Sequence, residues 1–177
     1  MNRDKLLLAA IGLASFVAGG VLYWLLQPDA PQTVANSPAP LELHSIPLLD
    51  LDDAETRLAD WQDELLIVNF WAPWCAPCRR EIPVLIEVRQ QYAARGVRLL
   101  GIAFDNLEQV RRFAADYRID YPLFLAGNRS AMYNAAFDNP TGTLPYTALL
   151  DGQLRIVYQH HGELTAAELK AELEKHL

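Results

Sequence analysis

The two cysteines of the chain share one tetrapeptide, Cys75-Ala76-Pro77-Cys78. Two thiols spaced this way on one helical turn are near enough to close into a disulfide. Such a pair takes up or gives out two electrons through a mixed disulfide with another thiol. The tetrapeptide follows an apolar run and opens a helical pattern, so unpaired backbone N–H groups and the positive end of the macrodipole face the first cysteine. A thiolate is stabilised there, which lowers its pKa and raises its reactivity. Pro77 lacks an N–H, which costs little in a first turn. On the residues alone two other uses stay open. An inert structural bridge suits an oxidising compartment, although so small a ring removes little chain entropy. Half of a zinc site would need two more ligands, yet there is no second C-x-x-C, and His160-His161 is the only adjacent histidine pair.

The elements that must position this pair are legible around it. Glu64–Trp71 (ELLIVNFW) is a nearly continuous apolar run, as in a strand covered on both faces of a sheet. From Pro77 to Arg95 apolar residues recur at helical spacing (Ile82, Leu85, Ile86, Val88, Tyr92), and Pro83 is expected to kink that helix. Val97–Phe104 reads as a strand, Leu107–Tyr117 as a helix, Tyr121–Leu125 as a short strand and Ser130–Phe137 as a short helix. Tyr146–Leu150 and Leu154–His160 read as two strands joined by an Asp151-Gly152 hairpin turn. Thr165-Ala166-Ala167-Glu168 is a capping box opening a last helix to His176. This order defines an α/β fold with a central mixed sheet flanked by helices, parallel crossovers first and an antiparallel hairpin last.

At 177 residues and 51% hydrophobic content the chain suits one folded domain plus an appendage. Fifteen Lys and Arg against twenty-two Asp and Glu give a net charge of -7, which argues against a nucleic-acid partner. The composition also excludes collagen-like, disordered and disulfide-dense classes. The appendage is N-terminal. Leu6–Leu26 carries no charge and, as a helix, reaches roughly 30 Å, the thickness of a bilayer core. Arg3 and Lys5 precede it, and no Lys or Arg follows before Arg57, so the N-terminus is expected inside and the rest of the chain outside. The alternative, a cleaved signal peptide, fits less well because the run is long and Gln27-Pro28-Asp29 offers no clean site. The expected organisation is a transmembrane helix or signal anchor in residues 1–27, a Pro/Ala-rich linker in 28–40 and the folded domain in 41–177.

Val68-Asn69-Phe70-Trp71-Ala72-Pro73-Trp74-Cys75-Ala76-Pro77-Cys78-Arg79-Arg80-Glu81-Ile82-Pro83 resembles the active-site stretch of membrane-tethered thioredoxin-like thiol:disulfide oxidoreductases of the TlpA/ResA (DsbE/CcmG-like) type. The similarity continues through Gly142-Thr143-Leu144-Pro145-Tyr146-Thr147 and Leu150-Asp151-Gly152, and covers most of residues 41–177. The resemblance implies a thioredoxin fold. It makes Cys75 the nucleophile, Cys78 the resolving thiol and Pro145 a cis-proline opposite the pair. Leu144 would then offer backbone groups to an extended substrate, and Trp74 would wall the thiol face while Trp71 lies in the core. Cytoplasmic relatives carry a buried acid where Asn69 stands, and an amide cannot act as that base. Glu81, three residues after Cys78 and on the same helical face, matches the glutamate of this type and is expected to handle the Cys78 proton. A carboxylate merely favoured by the helix dipole is the competing account.

The activity implied is reduction of disulfides in exported proteins, apocytochrome c among them. Electrons would come from a membrane-embedded thiol donor, with the catalytic domain in the periplasm of a bacterium and a single pass through its inner membrane. No cofactor or metal is expected beyond the cysteine pair. Rival readings are a disulfide-forming oxidase, disfavoured by the absence of histidine between the cysteines, and a copper metallochaperone, which favours wider cysteine spacing. A peroxidase would need a Pro-x-x-x-Thr-x-x-Cys arrangement that is absent. Arg79 and Arg80 read as solvated helix residues, and His44, His160, His161 and His176 as solvated surface groups.

Overall fold

The computed structural model describes residues 43–177. The apolar segment 6–26, the linker and the expected boundary at residue 41 lie outside the described residues. Among the described residues no helix is long and apolar enough to cross a membrane.

In chain order the elements are β1 (Pro47–Leu49), β2 (Glu55–Arg57), β3 (Leu65–Trp71), α1 (Ala76–Tyr92), β4 (Val97–Ala103), α2 (Leu107–Tyr117), β5 (Leu123–Leu125), α3 (Ser130–Ala136), β6 (Tyr146–Leu150), β7 (Ile156–His161) and α4 (Ala166–Leu173). Five strands form one sheet in the order β5-β4-β3-β6-β7. β3, β4 and β5 run parallel, while β6 is antiparallel to β3 and β7 to β6. The mixed sheet expected from the alternation of patterns is therefore present.

β3 lies at the centre and is buried at every position. Its side chains alternate between two cores. Leu65, Ile67 and Trp71 pack with Ile82, Leu85 and Val88 of α1, Val110 and Phe113 of α2, and Leu169 and Leu173 of α4. Leu66, Val68 and Phe70 pack on the other face with Tyr133, Phe137, Ile46, Leu48 and Leu58. An apolar strand with no polar stripe follows directly from having helices on both sides. Gly101 of β4 has a packing reason of its own. A Cβ there would stand 2.6 Å from Leu123 Cδ2 and 3.0 Å from Trp71 Nε1. The bare backbone lets those side chains close over the strand.

α1 runs on through Pro83 to Tyr92, as the helical spacing implied; the missing N–H deprives only the Arg79 carbonyl of its bond, and the buried face of Ile82, Leu85 and Val88 holds the helix together. Two details depart from the sequence reading. The β6–β7 connection is not the two-residue turn expected at Asp151-Gly152, and β7 begins at Ile156. The Asp151 carboxylate accepts the Gln153 and Arg155 N–H groups. Leu154 adopts a positive φ of 58° and is buried, so core contact overrides the local turn preference. Finally, β1 and β2 form an antiparallel hairpin that the sequence did not announce. It seals the second core with Leu48, and Asp50 bridges Phe124 on the outer side of β5.

Candidate active site

α1 starts where β3 ends, after the turn Ala72–Trp74. Cys75 is its N-cap, with extended backbone angles of φ -78° and ψ 105°. A cysteine sulfur does here what a serine or aspartate oxygen does at other helix starts: Cys75 Sγ accepts the Cys78 N–H at 3.2 Å. The sulfur thus sits on the orphan N–H groups of the first turn, the arrangement that favours a thiolate. Cys75 and Cys78 are joined in a disulfide with a Cα–Cα distance of 5.3 Å. Cys75 is the more accessible of the two, at 5% exposure against 1%.

The Leu144–Pro145 peptide bond is cis. Pro145 is buried at the entry to β6, and its carbonyl accepts the Gly162 N–H at 2.9 Å. Leu144 is half-buried, and Leu144, Cys75 and Cys78 belong to one apolar cluster. Trp74 is 68% exposed, an unusual place for an indole and one that leaves a large apolar face beside Cys75. Trp71 is fully buried, as expected of a core residue.

Glu81 lies one turn beyond Cys78 and is buried. It is held by a short relay across the sheet. The Asn69 amide donates to Thr147 Oγ1 at 3.0 Å, and the Thr147 hydroxyl donates to Glu81 Oε1 at 3.3 Å. Asn69 and Thr147 face each other in the β3–β6 register. Burial pushes the Glu81 carboxyl up to about 8, against the pull of Thr147, the Leu164 backbone and Asn69, and the charge of Glu163 adds to the rise. A carboxyl so placed exchanges a proton near neutral pH.

The rim is charged. Arg80 Nε donates to both oxygens of Glu163, at 3.1 and 3.0 Å, and its Nη1 reaches the Ala76 carbonyl. This exposed pair ties the first turns of α1 to the loop after β7. Arg79 Nε donates to the Tyr117 hydroxyl at 3.1 Å. Neither arginine is simply solvated. His160 is also engaged, between the Tyr158 hydroxyl and the Glu163 carbonyl, and His161 packs against the Tyr146 ring at 4.9 Å. Among the described residues no group of three His, Cys, Asp or Glu is placed to hold a metal ion.

Leu144 shares an apolar cluster with Cys75 and Cys78, Glu81 bonds Thr147 two residues after Pro145, and Trp74 stands exposed next to Cys75 in the chain. The residues sequence reasoning missed are Thr147 and Glu163. Thr147 gave only a faint signal, as one of two hydroxyl-bearing residues in an otherwise apolar strand. Glu163 gave none, because its approach to Glu81 depends on how the loop after β7 folds back.

A mixed sheet of this order, with C-x-x-C opening the helix after the central strand and a cis-proline leading into the strand beside it, defines the thioredoxin-like class of thiol–disulfide oxidoreductases. Residues 37–159 match the model of the AhpC/TSA family, and the chain belongs to that family. It is 26% identical to the thiol-disulfide oxidoreductase ResA of Bacillus thuringiensis over 178 residues, which cover 99% of this chain and 98% of that protein. It is 31% identical to the thiol:disulfide interchange protein HelX of Rhodobacter capsulatus over 170 residues, 93% of this chain and 90% of that one. Among solved structures, a DsbF homologue from Corynebacterium diphtheriae superposes with a TM-score of 0.66 at 27% identity, covering 75% of this chain and 85% of the other.

Proposed function

We propose that this enzyme reduces disulfides in exported proteins outside the bacterial inner membrane, to which residues 1–27 anchor it. The observation that carries the reading is the Cys75–Cys78 disulfide at the start of α1, with a buried Glu81 one turn behind it whose carboxyl is pushed up to about 8. In the reduced enzyme Cys75 thiolate attacks a client disulfide. A Cys75–client mixed disulfide forms, and the other client sulfur leaves as a thiolate. The ionised form of Glu81 takes the Cys78 proton, and the Cys78 thiolate attacks Cys75 Sγ and closes the disulfide. The second client sulfur leaves and takes up a proton. The client gains two electrons and the pair loses two. A membrane-embedded thiol donor then restores the dithiol, so the electrons travel on the cysteine pair without a bound cofactor or metal. Leu144 and Pro145 supply an edge for an extended client segment, and Trp74 an apolar face for it.

The relatives' names, ResA and HelX among them, support thiol–disulfide exchange. Apocytochrome c is the client class the family resemblance implies. The deciding experiment uses full-length Cys78→Ser in cells, where the mixed disulfide on Cys75 is stranded. Recovery of exported cysteine-bearing proteins, haem-protein precursors above all, supports the reading. If Cys75 is found joined to no exported protein, or wild-type protein shows no dithiol–disulfide interconversion across a glutathione series, the reading is wrong.

A further inference from the structure

The hydrogen bonds between β3, β6 and α1 run in one direction. Thr147 stands opposite Asn69 in the β3–β6 register, and both side chains are buried. The Asn69 amide donates to Thr147 Oγ1 at 3.0 Å. A threonine hydroxyl has one hydrogen to give and accepts on its lone pairs. Because Asn69 brings a hydrogen to that oxygen, the hydroxyl's own hydrogen turns away from the amide. The acceptor it meets is Glu81 Oε1, at 3.3 Å. Donation therefore passes from Asn69 through Thr147 and ends on the carboxyl.

A donor pointed at a buried carboxyl favours its ionised form. A neutral acid accepts such a bond weakly, whereas a carboxylate makes a charge-assisted bond that is shorter and about twice as strong. The 3.3 Å contact is long for an O–H···O bond and can close further once the carboxyl carries charge. Little else here serves the charged form. Glu81 Oε2 has no hydrogen-bond partner among the described residues, and burial works against the charge. Yet the charged form is the one the chemistry needs, because only ionised Glu81 can take a proton from a thiol.

We propose that Thr147 is a positioning residue for the resolving step, its hydroxyl aimed by Asn69 at Glu81 Oε1 so that the ionised carboxyl is held ready for the Cys78 proton. The inference deepens the reading above and rests on Glu81 being that acceptor. The other ionisable groups around Glu81 keep their charge near neutrality. Glu163, from the loop after β7, is paired with Arg80. Tyr121, from the turn before β5, feels the Glu81 charge, and burial holds its hydroxyl neutral; the Arg89–Asp120 ion pair beside it is closed at 2.7 Å. Cys78, on α1 itself, is bonded in the oxidised protein.

The test is a carbon-13 titration of the glutamate carboxyls in full-length oxidised protein, with the Glu81 signal identified by its loss in Glu81→Gln. Thr147→Val, which exchanges the hydroxyl for a methyl group of similar size, is expected to raise the Glu81 midpoint by about one pH unit, a tenfold change in the ionisation equilibrium. Thr147→Ser keeps the hydroxyl and is expected to stay near the wild-type midpoint. That pair of results supports the proposal, because a side chain that merely fills space would not tell valine from serine in this way. A midpoint unmoved in Thr147→Val, or raised as far in Thr147→Ser, overturns it. If the valine variant does not fold, the Thr147 hydroxyl proton of the wild-type protein carries the test. Bonded to Oε1, it is expected to move downfield with the same midpoint as the Glu81 carboxyl, and a signal flat through that range overturns the proposal. The titration needs no client. Should Glu81→Gln leave the pH profile of glutathione disulfide reduction unchanged, the proton-acceptor reading fails, while the titration still reports separately on Thr147.

Discussion

A buried carboxyl held up to about 8 makes stability depend on pH in a definite direction. In the unfolded chain Glu81 ionises near 4.5; in the native protein it keeps its proton until about 8. Between those values the native state binds the extra proton, so its stability is full below the unfolded value and drains away as pH rises toward 8. The loss is on the order of 4 kcal/mol. Urea unfolding of the oxidised protein at pH 5 and pH 8 measures it, and Glu81→Gln is expected to flatten the difference. Equal slopes in the two proteins would show that Glu81 is not buried as an acid. At this scale the sequence was informative about what stands out and silent about what surrounds it. Asn69 is conspicuous as the one amide in an apolar strand, and the Cys78–Glu81 spacing follows from helix geometry. Thr147, Glu163 and the Leu164 backbone gather around Glu81 only because β6 and the loop after β7 meet there, a consequence of topology that no local pattern encodes.

The elements that present the cysteines divide by how strongly local rules specify them. β3, α1 and α4 were legible because burial on two faces, helical spacing and a capping box each leave a periodic trace. The box is formed as read: Thr165 Oγ1 accepts the Glu168 N–H at 3.3 Å, and the Glu168 carboxylate takes the Thr165 N–H at 2.9 Å. Thr165→Ala is expected to cost ~1 kcal/mol in a thermal melt while leaving disulfide exchange intact. β1 and β2 were not legible, because strands of three residues with one inward side chain each are too short to show alternation. Their contribution is nonetheless large. Leu48 is wholly buried on the face of the sheet opposite the cysteines, so Leu48→Ala is expected to destabilise by about 2–5 kcal/mol with no change in the Cys75–Cys78 equilibrium constant against glutathione. A changed constant would mean that the two faces of the sheet are coupled. The connection after β6 misled for the opposite reason: Asp151-Gly152 has strong turn chemistry, but the burial of Leu154 and a 3.0 Å bond from Asp63 N–H to the Gly152 carbonyl fix a longer loop.

For the molecule as a whole, the acidic chain carries its chemistry at one end of a mixed sheet, and the anchor proposed for residues 1–27 would set where that end operates. In fractionated cells the full chain is expected with the membranes and resistant to high salt, and a variant lacking residues 1–27 in the soluble fraction. Recovery of the full chain as soluble protein would remove the anchor from the proposal. Trp74 has a further consequence at this scale. Its indole is exposed beside the Cys75–Cys78 bond, whereas Trp71 is sealed in the interior. A disulfide quenches the emission of a neighbouring indole, so opening the bond should brighten the protein, and a client laid over Trp74 should move its spectrum to the blue. Such a signal would separate electron transfer from docking in unlabelled material, with Trp74→Phe as the control for the emission of the other three tryptophans.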